Sequence, residues 1–238
     1  MVDFTGEILN IIDEARNVKT FRIKSPDNFT FIAGQHCIVS LPDSEKEEVR
    51  PFTFSNSPAE KGHIDLTVKK VGSFTKRLFS FKKGDKINIK GPLGKTFNFD
   101  ENTKDELVFL SGGSGITPFL SIIRYIEEKG LKNKIILFNG NLTEEDIICS
   151  KDMDNFNSKE NIKVINVITN PKDQVTTTCS LETGFITKDI VEKYVTEPEN
   201  KVWFVCGPPP MVSAMEILLS ELNIPSDRIR LDKWEIKK

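Results

Sequence analysis

The chain has 238 residues, with 38% hydrophobic and 29% charged side chains, so it can form the cores of one large domain or two smaller ones. This composition excludes intrinsic disorder, and a net charge of −2 with intermixed signs excludes the strongly basic balance of a nucleic-acid-binding protein. No segment approaches the roughly 18 uninterrupted apolar residues of a membrane helix, and the N-terminus lacks a secretory pattern, so we expect a cytoplasmic protein.

Alternating apolar and polar residues predict β-strands in the first hundred positions. The clearest case is residues 63–70, where Ile64, Leu66 and Val68 alternate with polar residues, and residues 18–24 alternate in a similar way. Turn-forming stretches rich in proline, aspartate and glycine separate such segments. One short helix is predicted at residues 73–81. The pattern is typical of an antiparallel barrel or sandwich.

A different pattern follows the polar stretch at residues 98–106, which we interpret as a domain boundary. Short continuous apolar runs now alternate with helical patterns, of which residues 117–129 and 209–222 are the clearest. The apolar runs are residues 107–110, 135–138, 162–168 and 202–205. Buried strands that alternate with helices predict a doubly wound parallel sheet, so the chain should join a β domain to an α/β domain.

The strongest local motif is LVFLSGGSGITP at residues 107–118, where a strand leads into three glycines and then a helix. Glycines let the backbone turn sharply and approach a phosphate, and the start of the helix offers free N–H groups. Pro118 suits that first turn, because its missing N–H would have no helical partner. An ordinary tight turn would show the same glycines, so this motif alone does not separate the two interpretations.

A second motif is VWFVCGPPPM at residues 202–211, which places Cys206 and Gly207 at the carboxyl end of a buried strand. Ligands bind at this edge of an open parallel sheet. Taken alone, Cys206 is more typical of a small apolar packing residue.

Two further motifs lie in the β domain. In RPFTFSNS, residues 50–57, Arg50 can pair with a pyrophosphate, and Phe52 emerges on the same face within reach of a planar ring. In GSFTKRL, residues 72–78, Thr75 and the N–H groups of a helix start can contact the same phosphates. An edge strand and a plain helix cap are the simpler alternatives for these two segments.

In their order and spacing, the four motifs resemble those of the ferredoxin–NADP reductase family, over nearly the whole chain. Residues 50–53 match its flavin motif of arginine, any residue, tyrosine, then serine or threonine, and residues 72–75 match its second flavin motif. GGSGITP and CGPPPM match its nucleotide-domain motifs. The resemblance implies an antiparallel FAD-binding β-barrel domain at residues 1–100 and a doubly wound, parallel-sheet NAD(P)-binding α/β domain at residues 101–238.

The resemblance implies a flavin site in the first domain. Arg50 would bind the FAD pyrophosphate, Phe52 would stack on the flavin, and Thr53 would hydrogen-bond near flavin N5. The family usually has tyrosine where this chain has Phe52, so one hydroxyl contact to the cofactor is missing. The other implied cofactor-binding residues of this domain are Pro51, Val68, Lys69, Gly72, Ser73, Phe74 and Thr75.

The resemblance also implies a nucleotide site in the second domain. Gly113, Ser114 and Thr117 would cradle the pyrophosphate of NADH or NADPH, and Cys206 would line the pocket where nicotinamide C4 meets the flavin. The remaining implied cofactor-binding residues of this domain are Gly207, Pro208, Met211 and Trp234.

The C-terminus departs from the plant-type members of the family. Asp232 and Trp234 echo their acidic residue and tryptophan, but Glu235 stands where those members have a terminal tyrosine that covers the flavin. We take Thr53, Cys206 and Asp232 as the candidate catalytic residues. No metal site is expected, because the four cysteines lie far apart and the chain has only two histidines.

A flavin converts the two-electron chemistry of a nicotinamide into one-electron transfer. The expected activity is therefore electron transfer between NAD(P)H and ferredoxin, flavodoxin or another electron-transfer partner. Some relatives carry their own iron–sulfur segment, which is absent here, so the partner should be a separate molecule. The alternatives are the reductase component of a multi-subunit oxygenase, a free-flavin or ferric reductase, and a non-catalytic regulatory subunit.

The loop after the third strand of the second domain favours NADH over NADPH. NADP-using members of the family have a serine–arginine pair there that grips the 2′-phosphate. Here Thr169, Asn170 and Pro171 follow the strand, and Asn170 stands where the arginine would be. Lys172 is the nearby cation that could replace it.

Overall fold

The computed structural model describes residues 1–42, 48–172 and 177–232. The strands are β1 (Val2–Ala15), β2 (Val18–Lys24), β3 (His36–Ser40), β4 (Val49–Thr53), β5 (His63–Lys69), β6 (Lys86–Leu93), β7 (Leu107–Gly112), β8 (Ile135–Asn141), β9 (Ile162–Ile168), β10 (Ser180–Thr183), β11 (Val202–Cys206) and β12 (Ile229–Asp232). The α-helices are α1 (Ser73–Leu78), α2 (Thr117–Glu128), α3 (Ser150–Asn157), α4 (Lys188–Tyr194) and α5 (Pro209–Glu221).

The first sheet is antiparallel, with the strand order β4-β3-β6-β1-β2-β5. Its two outer strands meet through a bridge between Phe54 and Leu66, and the Ser55 N–H donates to the Asp65 carbonyl at 2.9 Å. The sheet therefore closes on itself as a barrel, which confirms the predicted antiparallel β domain. Apolar side chains such as Phe21 fill its interior.

Both faces of strand β5 are buried. The alternation in the sequence correctly places its apolar residues in the barrel core, but Asp65 and Thr67 on the polar face are each only 4% exposed. These polar groups are satisfied inside the protein. Arg22 pairs with both carboxylate oxygens of Asp65, at 2.9 and 2.7 Å, and the Thr67 hydroxyl donates to Ser55 Oγ at 2.9 Å. The polar face of β5 is thus covered through specific partners rather than exposed to water.

The second sheet is parallel, with the order β10-β9-β8-β7-β11-β12, which confirms the predicted doubly wound sheet. The chain runs outward from β7 to β10 and then returns to the other side of β7 for β11 and β12. The strand order therefore reverses between β7 and β11, where open α/β sheets bind ligands at the carboxyl ends of their strands. Phe138 and Trp203 lie in the core that this sheet forms with helices α4 and α5.

The chain packs as two compact units. The first comprises Met1–Phe99 and Thr117–Gly130, and the second comprises Asp100–Ile116 and Leu131–Lys238. Helix α2 follows the glycine-rich turn in sequence, but it packs in the first unit, where its aromatic side chains contact two phenylalanines that follow β6. The helix that begins at the nucleotide motif is therefore part of the same unit as the barrel.

Candidate functional site

Two of the flavin-motif segments come together in the first unit. Strand β4 carries Arg50 and Phe52 at alternate positions, so both lie on one face, and Phe74 lies in the first turn of helix α1. The ring centroids of Phe52 and Phe74 are 6.0 Å apart, and the Arg50 guanidinium carbon lies 5.8 Å from the Phe74 centroid. Arg50 is therefore held beside the start of α1, as shared contacts to one pyrophosphate require.

Thr75 shapes the turn that begins α1. Its hydroxyl accepts hydrogen bonds from the N–H groups of Val71 and Gly72, at 2.9 and 3.0 Å, and donates to the Gly72 carbonyl at 3.1 Å. The hydroxyl proton is thus used within the turn. Gly72 and Ser73 are exposed, and a Cβ added at Gly72 would meet no atom within 4 Å. An anion can therefore approach the first N–H groups of the helix, which have no intrahelical partner.

Among the described residues, the Arg50 guanidinium makes two hydrogen bonds, which leaves it with donors for a ligand. Its Nη1 donates to the Val49 carbonyl at 2.8 Å and its Nη2 to a Glu48 carboxylate oxygen at 2.6 Å. A guanidinium has more N–H donors than these two contacts use, and the Arg50 side chain is 49% exposed. These groups fit the pyrophosphate of FAD, although the cofactor would share Arg50 with the Glu48 carboxylate.

Thr53 lies directly opposite His36 in the pairing of β3 with β4. Thr53 is buried, and burial lowers the pKa of the partly buried His36 imidazole. Burial disfavours the charged imidazolium, so the ring stays neutral to a lower pH than an ordinary histidine. His36 belongs to none of the four sequence motifs. The available signal was its rarity, since it is one of two histidines in the chain.

The other predicted residues of the first unit differ in how accessible they are. Pro51 and Lys69 are partly buried on β4 and β5. Val68 is 1% exposed and its side chain lies in the barrel core. Any contact between Val68 and a cofactor would therefore involve its backbone.

The two nucleotide motifs meet at the carboxyl edge of the second sheet. A Cβ added at Gly115 would lie 2.2 Å from the Cys206 carbonyl oxygen, and one added at Gly112 would lie 2.3 Å from the Met211 sulfur. Gly113 has a φ of +52°, and a Cβ there would meet nothing within 4 Å. Gly112 and Gly115 therefore permit close packing of the two motifs, while Gly113 provides a left-handed turn that faces open space.

The other residues of the two nucleotide motifs differ in exposure. Ser114 and Pro208 are exposed and Gly207 is partly buried, whereas Thr117 is 7% exposed at the first position of α2. Gly113 is partly exposed beside the exposed Ser114, and a turn of this kind between a strand and a helix fits the approach of a phosphate.

Cys206 and Asp232 occupy paired positions on the neighbouring strands β11 and β12, beside the reversal of strand order. Cys206 is 2% exposed. Burial raises the pKa of the Asp232 carboxyl, so it keeps its proton to a higher pH than an ordinary aspartate. Trp234 lies outside the described residues.

The four cysteines are buried and form no disulfide. Within residues 1–42, 48–172 and 177–232, no group of three or more His, Cys, Asp or Glu side chains could hold a metal ion. None of the described helices is both long and apolar enough to cross a membrane.

Both halves of the chain match known families. Residues 6–98 match the model of the oxidoreductase FAD-binding domain, and residues 109–216 match that of the oxidoreductase NAD-binding domain. Both flavin motifs lie within the first range, and GGSGITP and CGPPPM lie within the second.

Relatives align with the chain over most of its length. NADH-cytochrome b5 reductase 1 of Dictyostelium discoideum is 35% identical over 207 residues, which cover 84% of this chain and 71% of the relative. NADH-cytochrome b5 reductase 1 of Cryptococcus neoformans is 32% identical over 230 residues, covering 90% and 76%. The cytochrome b5 reductase domain of Ulva prolifera nitrate reductase shares the fold, with a TM-score of 0.84 over 97% of each chain at 22% identity. The chain is thus an FAD-dependent NAD(P)H reductase, and it belongs to the ferredoxin–NADP reductase family.

Proposed function

We propose that this enzyme oxidises NADH and passes the electrons singly to a small haem protein of the cytochrome b5 type. The observation that carries the proposal is the similarity to two NADH-cytochrome b5 reductases, at 35% and 32% identity over most of both chains. The motif resemblance pointed instead to ferredoxin or flavodoxin as the acceptor. We assign the flavin to residues 1–100 and the nucleotide to residues 101–238.

Bound FAD supplies the chemistry of accepting a hydride and releasing electrons one at a time. In our proposal the chain holds the reactants and orients them. Arg50 and the first turn of α1 bind the FAD pyrophosphate, Phe52 contacts the flavin ring, and Thr53 donates a hydrogen bond to it. The turn at Gly113 and Thr117 at the start of α2 bind the nucleotide pyrophosphate, and Cys206 contacts the nicotinamide.

The reaction releases one proton for each NADH oxidised when both electrons leave singly, so the chain needs a group that can move a proton. We propose that Thr53 and His36 do this, because they lie opposite each other and burial keeps the His36 ring neutral. Asp232 is a second candidate, since its raised pKa favours a protonated form that can donate.

The choice of acceptor can be tested by steady-state NADH oxidation with purified cytochrome b5, ferredoxin or flavodoxin. We expect kcat/KM for cytochrome b5 to exceed that for either alternative by about tenfold or more, since discrimination between partners is a difference in transition-state free energies. Ferricyanide serves as the control acceptor, because it reports whether the bound flavin turns over at all. A higher kcat/KM with ferredoxin or flavodoxin would show that the proposed acceptor is wrong.

The structure gives a physical reason to expect NADH over NADPH. Lys172, the candidate cation for a 2′-phosphate, already contacts two carboxylates, one through its backbone and one through its ammonium group. Its backbone N–H donates to the Glu144 carboxylate oxygens at 3.0 and 3.2 Å, and its Nζ lies 2.5 Å from Glu145 Oε1. A phosphate dianion there would compete with Glu145 for Lys172 and be repelled by both carboxylates.

We therefore expect kcat/KM for NADH to exceed that for NADPH by about tenfold or more with one common acceptor. The Glu145→Gln variant should narrow this ratio, because it releases the Lys172 ammonium and removes one negative charge. A preference for NADPH in the unmodified enzyme would contradict the assignment. Loss of that preference in Lys172→Ala would then identify Lys172 as the residue that binds the 2′-phosphate of NADPH.

A further inference from the structure

Two hydrogen bonds join helix α2 to the segment that follows the flavin strand, and the proposed function does not use them. The Ser121 hydroxyl donates to the Asn56 carbonyl at 2.8 Å, and Arg124 Nη1 donates to the Ser55 carbonyl at 2.5 Å. Ser55 and Asn56 follow strand β4 directly, only two and three positions after Thr53. All of these residues lie in the first unit.

Ser55 and Asn56, which accept the two hydrogen bonds from α2, are also hydrogen-bonded to strand β5. Ser55 Oγ donates to the Asp65 carbonyl at 3.1 Å and accepts from the Thr67 hydroxyl at 2.9 Å, and Thr67 pairs in turn with Thr20 at 2.8 Å. Asn56 Oδ1 accepts from the Asp65 N–H at 2.9 Å. Every member of this buried polar network is at most 4% exposed. Its hydrogen bonds reinforce one another in a region of low dielectric, so the two carbonyls offer α2 a rigid anchor.

Packing alone does not explain why a serine occupies position 121. It is fully buried, and a buried serine inside a helix commonly bonds back to its own helix rather than to another element. Arg124 lies three positions further on, at a spacing that puts both side chains on the same face. The two donors therefore fix both the position and the rotation of α2 relative to strand β4.

Helix α2 begins at Thr117, one turn before Ser121 and roughly 6 Å away along the helix axis. We infer that Ser121 and Arg124 are positioning residues for hydride transfer, because they hold the nucleotide-contacting start of α2 at a fixed place relative to the strand that carries Phe52 and Thr53. This inference rests on the proposed function, in which Thr117 contacts the nucleotide and β4 contacts the flavin. A helix moves as a rigid body, so a shift at Ser121 is carried to Thr117. Errors of about 1 Å in reactant geometry cost up to roughly a hundredfold in rate.

The test is anaerobic stopped-flow reduction of the bound flavin by NADH, which involves no acceptor protein. We expect Ser121→Ala and Arg124→Met each to lower the limiting rate of flavin reduction by about tenfold, while the NADH dissociation constant changes by less than about threefold. Arg124→Lys keeps a donor at the same place and should recover most of the rate.

Thr20→Val is the matched control. It removes the Thr20–Thr67 hydrogen bond, while the bonds that hold Ser55 and Asn56 to Asp65 and to α2 stay in place, so it should lower Tm about as much as Ser121→Ala and leave the limiting rate unchanged. If Ser121→Ala loses its FAD, the limiting rates of flavin reduction in Arg124→Met and Arg124→Lys still test the inference, because Arg124 is only partly buried.

Normal limiting rates in FAD-loaded Ser121→Ala and Arg124→Met, or equal slowing in Thr20→Val, would overturn the inference and leave Ser121 and Arg124 with a purely structural role. Failure of the proposed function would look different. In that case NADH would not bleach the flavin of the unmodified enzyme, or another acceptor would be preferred in steady state.

Discussion

Replacing Arg50 with alanine is expected to weaken FAD binding by roughly 1.5–3 kcal/mol, about ten- to a hundredfold in the dissociation constant. The guanidinium is half exposed beside the first turn of α1, and its contacts within the described part of the chain, with Val49 and Glu48, use only two of its N–H donors. Its loss takes away one cation and its N–H donors, so the helix N-terminus must hold the two phosphates without the guanidinium. The cation over the Phe74 ring is lost as well.

The measurement is titration of the flavin-free protein with FAD, followed by fluorescence quenching. Glu48→Gln is the matched control, because it removes the carboxylate that competes for Arg50 without removing the guanidinium. That variant should bind FAD as tightly as the unmodified protein or more tightly. If Arg50→Ala keeps its flavin content and dissociation constant, Arg50 has only a structural role and the flavin-motif interpretation is wrong.

Much of the fold could be predicted because local patterns determine it. Strands β2 and β9 have the predicted bounds, residues 18–24 and 162–168. The continuous apolar runs of the second half are buried parallel strands, as their composition indicates. Helices α2 and α5 each end one residue before the predicted position, at Glu128 and Glu221, within the usual fraying of helix ends.

Strand β1 shows where the local pattern fails. It extends over Val2–Ala15 and pairs with β6 through its first half and with β2 through its second half. Register shifts between Ile8 and Asn10 and between Asp13 and Ala15 interrupt its alternation. The alternation that starts at Val2 therefore ends at Ile8 and does not continue through the second half of the strand, since irregularities that depend on distant pairing partners have no signature in the local sequence.

The site was predictable to the extent that backbone chemistry defines it. Glycines and an arginine in a fixed order indicate phosphate contacts, and the structure brings Arg50 and the start of α1 together. The sequence could not show that the Glu48 carboxylate pairs with Arg50. It also could not show that His36 lies opposite Thr53, or that Ser121 bonds α2 to the segment after β4. Each of these contacts depends on which strands and helices become neighbours, and spacing along the chain does not encode that.

Gly115→Ala should have the largest effect on the nucleotide site. A Cβ at this position would lie 2.2 Å from the Cys206 carbonyl oxygen and 2.7 Å from the Gly207 nitrogen. Both atoms belong to the backbone, so no side-chain rotation can relieve the clash. The glycine turn and the segment after β11 would have to move apart, at a cost of roughly 1–3 kcal/mol in unfolding free energy.

That separation should also raise the dissociation constant for NAD+ about tenfold or more, because the left-handed turn at Gly113 would no longer hold its place relative to Cys206. Gly130→Ala is the control. It imposes a left-handed φ of +64° on an alanine, which costs roughly 1–2 kcal/mol, yet its Cβ would meet nothing within 4 Å. Both variants should lower Tm, but only Gly115→Ala should weaken NAD+ binding, measured by titration of the FAD-loaded protein. If the two variants bind NAD+ with equal affinity, the close packing at Gly115 stabilises the fold without shaping the nucleotide site. Local backbone strain would then be enough to explain the behaviour of both variants.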